Sequence, residues 1–114
     1  MPNRLKNILS EYVQGLLELI GNDLEKVILY GSYARGEQNT GKEISDIDIM
    51  ILVNVDEDKI KELENKILDY SYDIDLKYNI LLSPIVETVE NYNNRIVYMP
   101  FYQNVEKEGV ILSA

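Results

Sequence analysis

Residues 27–53 read VILYGSYARGEQNTGKEISDIDIMILV, and the two ends of this stretch decide the fold. Val27 to Tyr30 is an apolar run of strand type that stops at Gly31-Ser32. That stop predicts a tight turn and one short helical turn over Gly31 to Gly36. Such a turn presents backbone N–H groups and the Ser32 hydroxyl, both suited to phosphate oxygens. Glu37 to Ser45, with Asn39, Thr40 and Gly41, reads as a polar, mobile loop. Asp46 then opens a second strand, to Val53, that is apolar once past its two aspartates. This is the pattern of a strand covered on both faces and therefore central in its sheet. Side chains alternate along a strand, so Asp46 and Asp48 project from one face, roughly 6 to 7 Å apart. Asp is depleted in strands, and two on one face call for a cation.

Outward from this centre, Leu5, Ile8, Leu9, Tyr12, Val13, Leu16, Leu17 and Ile20 recur at helical spacing and predict a helix ended by Gly21-Asn22. Beyond the second strand, Asp56 is placed to cap a helix running to about Tyr70. Its inward residues would be Ile60, Leu63, Ile67 and Leu68, and its charged residues a solvated face. Tyr72 to Leu82 alternates Asp73, Asp75 and Lys77 with Ile74, Leu76 and Tyr78, which predicts a third strand. Ser83-Pro84 reads as N-cap and first residue of a helix to about Tyr92. Pro100 starts a last helix over Phe101 to Glu108, with Gly109 as its C′ residue before Val110-Ile111-Leu112. The expected fold is a mixed α/β (α+β) arrangement, a small mixed sheet packed with helices, in a single domain over residues 1–114.

Composition narrows the chemistry. With 114 residues and 46% hydrophobic content the chain can bury one core. No stretch approaches the roughly 18 continuous apolar residues of a membrane span. An N-terminus containing Pro2, Asn3, Arg4 and Lys6 has no apolar signal core, so a cytoplasmic location is expected. Cysteine and histidine are absent, which excludes thiolate nucleophiles, sulfur-ligated zinc and the usual general base. Catalysis must rest on carboxylates, hydroxyls, lysine, arginine and bound ions. Twenty acidic residues against 11 basic give a net charge of −9, which repels a nucleic-acid backbone but admits a nucleotide whose phosphates a divalent ion neutralises.

GSYARGE followed, after a polar spacer, by SDIDIMILV resembles the signature of the DNA polymerase β-like nucleotidyltransferase superfamily. It resembles specifically the minimal nucleotidyltransferases that act as antitoxins beside HEPN-domain toxins. The resemblance covers about Val27 to Asn79, and PFYQNVEKEGVIL (100–112) resembles the tail of small proteins of this group. It implies that Gly31 and Ser32 approach the nucleotide's triphosphate, and that Asp46 and Asp48 hold divalent metal. It also implies a third metal-binding and catalytic carboxylate on the following strand. Asp75 best matches that third position, with Asp73 as runner-up, because strand parity alone does not choose between them. Arg35 is a candidate phosphate contact. Hard carboxylate oxygens without His or Cys suit Mg²⁺, with Mn²⁺ as substitute. The implied reaction is displacement at the α-phosphorus of ATP, with two ions clamping the attacking and leaving oxygens and Asp75 receiving the acceptor's proton. The implied acceptor is a hydroxyl, that of a tyrosine, on a partner protein such as a HEPN-type toxin.

Each feature has a plainer alternative. Gly31-Ser32 is also an ordinary turn, Asp46 and Asp48 are also solvated strand-end residues, and Arg35, like Lys77 as a second candidate phosphate contact, is also a surface ion-pair partner. Two other functions fit the charge and size: a stoichiometric binding antitoxin whose nucleotide site is silent, and transfer to a small molecule of aminoglycoside type. Little chain remains after Asn79 for an acceptor domain, so the site is expected to be completed by another polypeptide or a second copy.

Overall fold

The computed structural model describes residues 2–36 and 46–113; the loop expected over Glu37 to Ser45 lies outside the described residues. Helix α1 spans Asn3–Ile20 and buries Leu5, Ile8, Leu9, Tyr12, Val13, Leu16 and Ile20, the stripe its spacing predicts. Gly21, at φ +57°, ends it. Strand β1 (Leu24–Tyr30) follows, then the one-turn helix α2 (Ser32–Arg35) and strand β2 (Ile47–Val53). Helix α3 covers Glu57–Tyr78, strand β3 Leu82–Thr88, helix α4 Val89–Arg95, helix α5 Pro100–Glu108 and strand β4 Val110–Ser113.

The four described strands form one sheet in the order β3-β2-β1-β4. β2 lies inside it, as its apolar run predicts, antiparallel to β1 and parallel to β3. Alternation along β2 splits the apolar interior in two. Ile47, Ile49, Ile51 and Val53 join α1 and α3 in one core, with Leu63, Ile67 and Ile74 from α3. Met50 and Leu52 face the other way, into a smaller core with Ile28, Tyr92, Tyr102 and Val105. Asp48 has the parity of Met50 and Leu52, so it belongs to the face covered by α5. Among the described residues no helix is long and apolar enough to cross a membrane.

Two expectations are corrected between residues 72 and 92. The strand expected over Tyr72 to Leu82 is instead the second half of α3, which runs on to Tyr78. Ile67, Ser71 and Ile74 are buried at helical spacing, while Leu76 is 66% exposed. A strand would have buried Ile74 and Leu76 alike, so the apparent alternation is a coincidence of composition. The helix begins as expected, with the Asp56 carboxylate accepting the Lys59 N–H at 3.1 Å. It ends at Asn79, in the left-handed conformation at φ +53°. Its inward set includes Leu63 and Ile67, but Leu68 points outward, 43% exposed.

The helix expected from Ser83-Pro84 is β3. Proline is compatible with a strand here because β3 is the sheet's edge, where a missing N–H removes no ladder bond. The helical start lies at Thr88, whose hydroxyl accepts the Asn91 N–H at 3.0 Å. α5 starts at Pro100 as expected. Gly109, however, is extended (φ −68°, ψ 148°) and not a left-handed C′ residue. It is glycine because a Cβ there would overlap Ile28 and the Val105 carbonyl.

Candidate active site

In the antiparallel register Tyr30 lies opposite Asp48, so the end of β1 and the start of β2 meet at one place. Gly31 turns the chain there at φ +76°, ψ −155°, a conformation open essentially to glycine alone. A Cβ on Gly31 would overlap Oδ2 of Asp48 and stand 3.2 Å from its Cγ. The glycine therefore does two things: it makes the turn, and it leaves the space in which the Asp48 carboxylate lies. Ser32 opens α2, and the Arg35 N–H donates back to the Gly31 carbonyl at 3.2 Å.

Asp46, exposed, stands immediately before β2, and Asp48, half-buried, is the second residue of that strand. The Asp48 carboxyl is pushed above the ordinary carboxylate range, first by burial and then by the Asp46 charge, with Arg35 opposing. The Tyr30 hydroxyl is pushed up to about 12, chiefly by burial and next by Asp48. On β3, Ser83 pairs with Asp48 in parallel register and so presents its side chain to the same face.

Asp75 is not on a strand. It rides in the last turn of α3, on the side of the sheet opposite Asp48, and its Oδ1 accepts the Leu82 N–H at 2.9 Å. Burial raises its carboxyl and this hydrogen bond lowers it; neither Asp46 nor Asp48 contributes. Asp73 lies in the same helix. Among the described residues no three Asp, Glu, His or Cys side chains gather as a metal cluster. Asp75, implied above as the third carboxylate, stands in no such cluster with Asp46 and Asp48 and instead fastens the start of β3. The pair still fits magnesium, which keeps several of its waters and takes one or two protein carboxylates together with substrate phosphates.

Beside Gly31 opens a pocket of about 240 Å³, lined by Tyr30, Gly31, Arg35, Phe101, Asn104, Val105 and Glu108. Arg35 reaches Glu108 across its rim at 3.3 Å. The Phe101 ring meets Tyr30 edge-on, centroids 5.6 Å apart. Sequence reasoning missed this wall of α5. The signal was present in the i, i+3, i+7 spacing of Phe101, Asn104 and Glu108, which puts them on one side of the helix.

Comparison with known proteins gives the class: the chain is a nucleotidyltransferase. A family model described as a nucleotidyltransferase domain matches residues 4–108, and the chain belongs to that family. Two Methanocaldococcus jannaschii relatives, each named "Putative protein adenylyltransferase", are similar over nearly the whole length. One is 38% identical over 104 residues, 91% of this chain and 93% of its own. The other is 35% identical over 103 residues, 90% of this chain and 93% of its own. Two crystal structures share the fold. A toxin-antitoxin with AMP-PNP has a TM-score of 0.53 at 20% identity, over 92% of this chain and 73% of that one. A toxin-antitoxin MntA-HpeT mutant has a TM-score of 0.51 at 17% identity, over 92% and 72%.

Proposed function

We propose that this chain transfers AMP from ATP to a hydroxyl of a partner protein, a tyrosine of a HEPN-type toxin, and so acts as its antitoxin. The observation that carries the reading is the seat of Asp48 against the bare Cα of Gly31, with Asp46 beside it. The relatives named as protein adenylyltransferases and the toxin-antitoxin folds support the acceptor class. The neighbour solved with AMP-PNP supports ATP as donor.

In this reading Asp46 and Asp48 hold magnesium, with manganese as substitute. The ion, when bound, supplies positive charge to the phosphates and to the acceptor oxygen. Ser32 and the N–H groups after Gly31 steady the terminal phosphates, and Arg35 adds charge beside them. The acceptor oxygen bonds to the α-phosphorus, the bond to the β-phosphate oxygen breaks, and pyrophosphate leaves. The chain has no histidine, and among the described residues no third carboxylate joins Asp46 and Asp48 in a metal cluster, so in this reading the acceptor's proton passes to Asp48 or to water.

The test is incubation with α-phosphate-labelled ATP, Mg²⁺ and lysate of the host, alongside a chain carrying Asp46→Asn and Asp48→Asn. A polypeptide labelled by the wild type only is the expected result. Absence of label with every nucleoside triphosphate, in Mg²⁺ and in Mn²⁺, would leave the stoichiometric binding antitoxin, which the net charge of −9 favours for a basic partner.

A further inference from the structure

We infer that the α5 wall of the pocket beside Gly31 is the nucleobase seat, and that Asn104 and Glu108 make it select adenine, which carries an amine at the ring position where guanine carries a carbonyl oxygen. The inference rests on the nucleotidyltransferase reading of Gly31, Asp46 and Asp48 and names which residues of the same site choose the nucleotide.

Position is the first argument. Gly31 belongs to both places: it lines the pocket and it holds the Asp48 carboxylate. A nucleotide whose phosphates lie over the Gly31 turn has its nucleoside end directed along Tyr30 toward α5. Size is the second. At about 240 Å³ the pocket is smaller than the roughly 300–1,000 Å³ that enclose a whole ligand, and suits one flat ring system with the phosphates outside. Chemistry is the third. Tyr30 and Phe101 supply aromatic surface, and the Phe101 ring is 42% exposed, uncovered by other side chains to that extent. The Asn104 amide has no hydrogen-bond partner among the described residues, although it lines the pocket.

A free carboxamide offers one donor beside one acceptor, the complement of the adjacent acceptor and amine on adenine's edge. Glu108, one of whose oxygens accepts from Arg35 at 3.3 Å, contributes only acceptor oxygens. They receive an exocyclic amine and repel a carbonyl oxygen, which disfavours guanine and uracil at the same point.

The experiment is equilibrium binding of fluorescently labelled ATP and GTP, with labelled inorganic triphosphate as a probe of the phosphate end alone. The chains compared are wild type, Asn104→Leu, Phe101→Ala and the Asp46→Asn/Asp48→Asn pair, all in the same Mg²⁺ buffer with circular dichroism as the folding check. Both α5 residues are exposed, so these variants retain the core. The expectation is that ATP binds on the order of tenfold tighter than GTP. Asn104→Leu should erase the preference, and Phe101→Ala should weaken both nucleotides on the order of tenfold while leaving triphosphate unchanged. Wild-type affinity for ATP in both variants, or no preference between ATP and GTP in the wild type, overturns the inference while leaving the nucleotidyltransferase reading intact. Failure of the wild type to bind any of the three probes overturns the reading beneath it as well.

Discussion

Replacing Gly31 by alanine should damage the molecule in two separable ways, and their sizes follow from the structure. An L-residue at φ +76°, ψ −155° carries backbone strain of about 1–3 kcal/mol. The new Cβ would also overlap Oδ2 of Asp48, and driving that carboxylate off its rotamer costs about 0.5–1.5 kcal/mol more. Gly31→Ala should thus lose about 2–4 kcal/mol of stability. Gly21→Ala is the matched control, with φ +57° and nothing within 4 Å of the added carbon, so it bears the backbone strain alone. Urea denaturation followed by circular dichroism measures both, and the decisive arm repeats Gly31→Ala in an Asp48→Ala background. There the loss should shrink to that of Gly21→Ala. An equal loss with and without the carboxylate would refute the claim that Gly31 exists to seat Asp48. Nucleotidyl transfer by Gly31→Ala at the wild-type rate would refute its place in the site.

Three further outcomes are expected. Burial first and Asp46 second raise the Asp48 carboxyl, so its folded pKa exceeds the unfolded value and the folded state holds the extra proton between the two. Its contribution to stability therefore falls as pH rises through that window. Asp48→Asn removes this fall: the variant should be more stable than wild type at pH 7, the gap closing in acid, while losing transfer. Urea midpoints from pH 3 to 8 showing no such gap would refute the assignment of cause. Asp75→Ala, which orphans the Leu82 N–H, should lose about 1–3 kcal/mol, whereas Asp75→Asn keeps the acceptor and should keep transfer. A folded but inactive Asp75→Asn chain would return that residue to the catalytic set. Ser83→Asp should add a carboxylate beside Asp48 and tighten Mn²⁺ binding, read as loss of the free-ion signal in electron paramagnetic resonance. Unchanged affinity would place Ser83 away from the pair.

What was legible in the sequence is what local pattern determines. The stripe of α1, the apolar run of β2, the Asp56 cap and the Gly31 turn each carry their cause in adjacent residues. The stretch from Tyr72 to Tyr92 does not. A few residues of helix and of strand can share one polar-apolar alternation, and the choice fell to tertiary burial of Ile74 against exposure of Leu76. Pro84 reads locally as a helix start and becomes strand only because β3 lies at an edge. Placing Asp75 on a strand followed from that misreading. The place of Asp48 at the start of β2, one residue on from Ile47, was legible because alternation within one strand needs no knowledge of the rest of the fold. The pocket wall was not, since it joins Tyr30 to Phe101 across the long connection between β1 and α5.

The division of the interior into two cores bears on how the chain assembles and opens. The larger core draws on elements contiguous from α1 through β3. The smaller depends on α4 and α5, and β4 beyond them must return to β1, where Val110 meets Leu29 and Ser113 meets Val27. Pairings so remote in sequence close late, and units with few apolar contacts open at lower free energy than the rest. Native-state hydrogen exchange should therefore resolve two protected groups, with the amides of α5 and β4 released before those of α1 and α3. The half that carries Phe101 and Asn104 is the last to form and the first to let go, so ligand occupancy there should be read as slowed exchange in α5.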